Sequence, residues 1–143
     1  MSSVRTQKGT FAPQSHKLSE KEKHKRYVER AKATPEGRAT LLLNKCRQRA
    51  REKKFSFGLT KEWVAEKIKT GRCEVSGIPF VLNGGNKHKY APSLDRADSS
   101  KGYTVDNVRV VVWMFNQAKS TYSDDEMFVF CTLYVLFRMG LSR

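Results

Sequence analysis

Two hydrophobic grammars alternate along the chain. In 34-TPEGRATLLLNKCRQRAREKK-54, Ala39, Leu42, Leu43, Cys46 and Ala50 return at the spacing of one helix face. Thr34 is placed to cap that helix, Pro35 suits its first position, and Glu36 complements the positive end of its dipole. A second helix is predicted over KEWVAEKIK, 61–69, with Thr60 as its cap, Val64 and Ile68 on one side and Gly71 as its stop. Trp63 is read there as a core residue.

After Gly71 the pattern turns to strands. CEVSGIPFVL, 73–82, and APSLDRAD, 91–98, are predicted to pair across a GGNKHK turn. A loop, SSKGYTVDN, carries the turn residues Gly102, Asp106 and Asn107. The β-branched run VRVVV, 108–112, then predicts a strand and WMFNQAKSTY a short helix. Ser123 with Glu126 forms a capping box that opens a last helix over 124–138. Its apolar run MFVFCTLYVLF, 127–137, is well short of the roughly 20 residues that span a bilayer, so a buried helix is expected. Because that helix is apolar nearly all round, a homodimer surface would suit it as well as a buried core.

Composition adds the partner. Lys and Arg number 28 against 14 Asp and Glu, a net charge of +14 that suits a polyanion, because cationic side chains on phosphates release condensed counterions. Residues 1–33 are basic with scattered apolar positions and read as a flexible or partly helical arm, leaving 34–143 as the domain. The three cysteines form no CxxC or Cys-His pair, so no structural zinc or disulfide framework is expected, and they read as free thiols in a reducing compartment. No apolar leader is visible in the first residues, and the protein is expected to be intracellular, with no membrane partner.

Candidate chemistry concentrates in 93-SLDRADSSKGYTVDNVRVVVWMFNQAK-119. Asp95 falls late in a strand and Asn116 on the helix that follows, so two hard oxygen donors from separate elements suggest a site for Mg²⁺ or a similar cation. The alternative is that Asp95 pairs with a nearby Lys or Arg and that Asn116 caps a loop. Lys87, Lys89, Lys101 and Lys119 surround this segment and could steer phosphates, as could the row Arg47, Arg51 and Lys54 on the first helix.

The run D-R-A-D at Asp95–Asp98, Gly102, Asn107-Val108, and Asn116 followed by Lys119 resembles the HNH, or His-Me finger, nuclease motif. The CEVSGIPF lead-in and the TPEGRA and LTKEWV segments are likewise similar to those of small phage-borne HNH proteins. The resemblance implies an α+β fold with a ββα-metal hairpin-helix core over 73–119, flanked by helices. It also implies a DNA endonuclease that uses one divalent cation, Mg²⁺ or Mn²⁺, in an infected or prophage-bearing host cell. Carried across, Asp95 and Asn116 match the metal ligands, and Asn107 matches the asparagine that ties the loop to the strand.

Arg96 stands where the family has its histidine base. A guanidinium with a pKa above about 12 cannot take a proton from water at neutral pH. Three readings follow. Arg96 grips the scissile phosphate while Asp98 or His88 activates water; or the finger is catalytically inactive and binds DNA in a regulatory or packaging role; or Arg96 pairs with Asp98 and orders the strand. An RNA-binding structural protein is a further alternative, though no aromatic RNA-recognition motif supports it.

Overall fold

In the computed structural model, which describes residues 18–84 and 88–141, both threonines predicted as caps accept a backbone N–H at a helix start. Thr34 Oγ1 accepts from Gly37 and Thr60 Oγ1 from Trp63. They open α2 (Pro35–Lys53) and α3 (Lys61–Lys69), which follow α1 (Glu20–Lys32). Then come β1 (Pro92–Arg96), β2 (Val108–Val112), α4 (Trp113–Lys119) and α5 (Asp124–Arg138). The α1 helix lies within the basic segment 1–33, has its own capping box at Ser19 and Glu22, and packs on α2.

Strands β1 and β2 pair antiparallel, with Asp95 directly opposite Arg109 and Leu94 opposite Val110. Side chains alternate across the two faces of such a ladder. Leu94, Val108 and Val110 therefore join the core formed by Ala39, Leu43, Cys46 and Ala50 of α2 and Val64, Ala65 and Ile68 of α3. Trp63 is half-buried against the same core. The opposite face carries Asp95 and Arg109, and α4 packs against both strands. Val111 and Val112 pack with Cys73, Ile78 and Phe115 in a second, smaller cluster.

Two expectations are corrected. Residues 73–82 form no strand; a turn over Glu74–Ser76 leads to Gly77 at φ +69°, and a single bridge joins Arg72 to Pro79. Glu74 nevertheless closes the outer edge of β2, donating its N–H to the Val110 carbonyl while its carboxylate accepts the Val110 N–H. An edge strand is thus replaced by one residue that supplies both partners.

The second correction concerns α5. It has its predicted bounds and the Ser123–Glu126 capping box, but none of its residues is buried. Phe128 and Phe137 are each 72% exposed. The core is already filled by α2 and α3 packing on the sheet, and α5 projects from it. No helix among the described residues is long and apolar enough to cross a membrane.

Candidate functional site

The cross-strand register brings the Asp95 carboxylate against the Arg109 guanidinium, whose Nε donates to Asp95 Oδ2 at 2.9 Å. One turn beyond Asn116, Lys119 comes off α4 over the same carboxylate. Its Nζ lies 3.3 Å from Asp95 Oδ1 and donates to the Arg96 carbonyl at 2.8 Å. Asp95 is 2% exposed and Lys119 fully buried. Of the two readings open from the sequence, the ion pair is what the structure holds, with two cations on one carboxylate.

Lys119 is therefore corrected: it is a buried counter-charge and not a phosphate-steering surface residue. Arg109 is the site residue that sequence reasoning missed. It also bridges to Asp124 at the start of α5, with Nη1 2.7 Å from Oδ2. The Asp124 bond raises the Arg109 pKa, and Arg109 in turn holds the Asp124 carboxyl below its ordinary value. A regular strand register would have placed Arg109 opposite Asp95, but only the loop length between the strands fixes that register.

Asn116 does not cap a loop. Its Nδ2 donates to Ser93 Oγ at 2.7 Å and to the Leu94 carbonyl at 2.9 Å, pinning α4 to β1. Asn107 clasps the loop after β1. Its Nδ2 donates to the carbonyls of Asp98 and Gly102, and its Oδ1 accepts the Asp98 N–H. Gly102 is buried beneath Ser56, whose hydroxyl and carbonyl would collide with any Cβ there.

Arg96 forms no ion pair with Asp98. Its guanidinium lies over two rings, 4.4 Å from the Phe55 centroid and 5.0 Å from that of Tyr103, and Nη1 donates to the Lys101 carbonyl at 2.8 Å. Aromatic faces hold the cation without using its N–H donors. Four of the five N–H groups remain for an anion.

The two candidate bases are poorly disposed for that task. Asp98 accepts from the Ser100 hydroxyl and N–H and lies near Lys101 Nζ. These bonds, with Ser100 first, lower its pKa, which weakens it as a base at neutral pH. His88 Nδ1 accepts the Tyr90 N–H at 3.2 Å, so the neutral ring carries its proton on Nε2 and offers a donor, not a base.

Among the phosphate candidates, Lys101 is exposed, and Lys89 is exposed with its ammonium over the Tyr90 ring. Arg47, Arg51 and Lys54 are exposed together along α2 and its left-handed C-cap. Lys87 lies outside the described residues.

A divalent cation at this finger can be tested on the donors present. Asp95 Oδ1 and the Arg96 carbonyl are hard oxygens that already hold a cation, the Lys119 ammonium. The Asn116 amide oxygen accepts no hydrogen bond from the described residues. That chemistry fits Mg²⁺, which takes one or two protein oxygens and completes its shell with water and phosphate. A metal would enter in exchange for the ammonium, because no group of three or more His, Cys, Asp or Glu is gathered among the described residues.

No protein-family model matches the chain, and no curated protein matches it. A solved structure of the rare-cutting HNH restriction endonuclease PacI does, with a TM-score of 0.50 at 21% sequence identity, over 73% of this chain and 82% of that one. The likeness establishes an HNH-like α+β fold.

Proposed function

We propose that the protein is a divalent-metal-dependent DNA endonuclease of HNH type. The observation that carries this reading is the cation pocket on the hairpin-helix unit, Asp95 Oδ1 and the Arg96 carbonyl around the Lys119 ammonium. Its support is the fold shared with a protein described as an endonuclease that perturbs DNA. Asp95, the Arg96 carbonyl and Asn116 would hold the ion, which when bound polarises the scissile phosphate.

The chain's own residues do the rest. Arg96, held flat on Phe55 and Tyr103, presents its free N–H groups to a phosphate oxygen, where charge-assisted hydrogen bonds stabilise developing negative charge. Asn107 keeps the 98–102 loop closed so that Arg96 keeps its Lys101 anchor. With Asp98 and His88 both engaged as described, proton removal from water has no dedicated group. Such an enzyme is slower by roughly 10²- to 10⁴-fold than one with a positioned base.

That same feature favours a second reading, a DNA-binding finger that does not cut. Supercoiled plasmid incubated with the protein and Mg²⁺ or Mn²⁺ separates the two. Nicking that disappears in Arg96→Ala and with chelator is expected. No nicking by the wild-type protein, with binding unaffected by chelator, leaves the binder. A direct titration with Mn²⁺ followed by its electron spin resonance signal should show tighter binding to Lys119→Met than to wild type. Equal affinity would defeat the exchange of ammonium for metal.

A further inference from the structure

Helix α5 buries none of its residues, yet it is the most apolar element of the chain. Phe128, Val129, Phe130, Leu133, Tyr134 and Phe137 are all at least half exposed. By the ~150–250 Å² that an aromatic side chain buries, the exposed parts of this helix and of Met139 and Leu141 sum to roughly 1,000 Å². Monomeric proteins rarely leave more than a few hundred Å² of contiguous apolar surface uncovered, whereas a standard interface takes about 800 Å² from each partner.

Spacing and charge on the helix identify the cover. Met127, Phe130, Tyr134 and Phe137 follow one another at intervals of three, four and three, the seam spacing of a helix that packs along a second helix. The first turn holds Asp124, Asp125 and Glu126 and the last holds Arg138. Two copies laid parallel would bring the acidic turns together. Laid antiparallel about an axis at Thr132, they set Arg138 of each copy beside Asp124 of the other. Met127 then faces Phe137 of the second copy and Phe130 faces its Tyr134. A notch of about 350 Å³ lined by Ala118, Tyr122, Glu126, Met127 and Phe130 lies open at the base of α5, where that Phe137 arrives.

We propose that α5 pairs antiparallel with α5 of a second copy of this chain, making a two-fold dimer through the Met127, Phe130, Tyr134 and Phe137 seam. The contact is self-complementary in shape and charge, as a two-fold interface must be. Asp124 keeps its bond to Arg109, so the dimer helix is joined to the strand that carries the site. The proposal stands independently of the catalytic one, because it concerns mass and not cleavage.

Light scattering on a sizing column at micromolar concentration should give twice the 16.4 kDa of the chain. Phe130→Glu with Phe137→Glu should give the monomer with unchanged helix content and melting temperature, since both side chains are exposed within one copy. Cys131 is exposed and flanks the seam on the side of Asp124 and Arg138, so the antiparallel pair brings the two Cys131 thiols together beside the axis. An added copper-phenanthroline oxidant, taking two electrons and releasing two protons, should join them as a disulfide dimer in wild type. Cys131→Ser and the double glutamate variant should stay single chains. A monomeric wild type, a ladder of larger species, or a dimer that survives the glutamates would each overturn the proposal.

Discussion

At the residue scale, the arrangement around Asp95 decides what a substitution there means. Breaking a buried ion pair by removing one partner strands the other charge and costs about 3–5 kcal/mol, whereas replacing both members with groups of similar volume can be near neutral. Asp95→Asn should therefore lower stability by that order in urea unfolding, and adding Lys119→Met should restore at least ~1 kcal/mol of it. Additive losses in the two variants would show that Lys119 does not depend on Asp95. The same logic warns against reading lost nicking in Asp95→Ala as lost metal, which is why Arg96, exposed enough to be removed without stranding a charge, is the better test of chemistry. Asp124 supplies a pH signature. Its folded pKa is depressed by Arg109, so its contribution is present above the ordinary carboxylate pKa of about 3.9 and is lost as pH falls through the lower folded value. The stability gap between wild type and Asp124→Asn should be constant near neutrality and close below about pH 4. A gap that widens on acidification contradicts the Arg109 bridge.

At the element scale, local chemistry wrote the helices plainly. Thr34, Thr60 and Ser123 cap where their side-chain oxygens predict, because capping depends on three or four neighbouring residues alone. Residues 73–82 misled for the converse reason. Their β-branched and aromatic content describes a segment packed on a sheet, and Val111 and Val112 with Cys73 and Ile78 supply that packing without a ladder. Gly102 was legible as a loop residue but not for its cause, which is the close pass of Ser56 from a segment nearly fifty residues earlier. Gly102→Ala should push that crossing apart, loosening the Tyr103 N–H bond to the Ser56 carbonyl and the Arg96 perch on Tyr103. Overpacking of this kind typically costs ~1–3 kcal/mol, so a fall of that size in urea stability with weakened DNA binding is expected. An unchanged stability would mean that the crossing relaxes freely.

At the scale of the whole molecule, the two features hardest to read from sequence are both matters of what covers what. A lysine is among the residues least often fully buried, so Lys119 looked like surface until α4 was seen to lay it on Asp95. An apolar helix looked like core until α2 and α3 were seen to fill the core without it. Charge, by contrast, was legible at once, because it needs no fold to be counted, and the fold decides only which part of it is gathered. Arg47, Arg51 and Lys54 lie exposed on α2 and its cap, while Arg38, Arg109 and Lys119 are drawn inside or into pairs. If the exposed row lies along phosphates, each residue contributes close to one released counterion. Replacing all three by Ala should then reduce the slope of log K against log salt by about 2.7 for double-stranded DNA, at ~0.9 per phosphate contact. The melting temperature should not move, because none of the three is buried. Equal slopes for wild type and variant would place the DNA on another face, with Lys89, Lys101 and Arg96 as the next row to test.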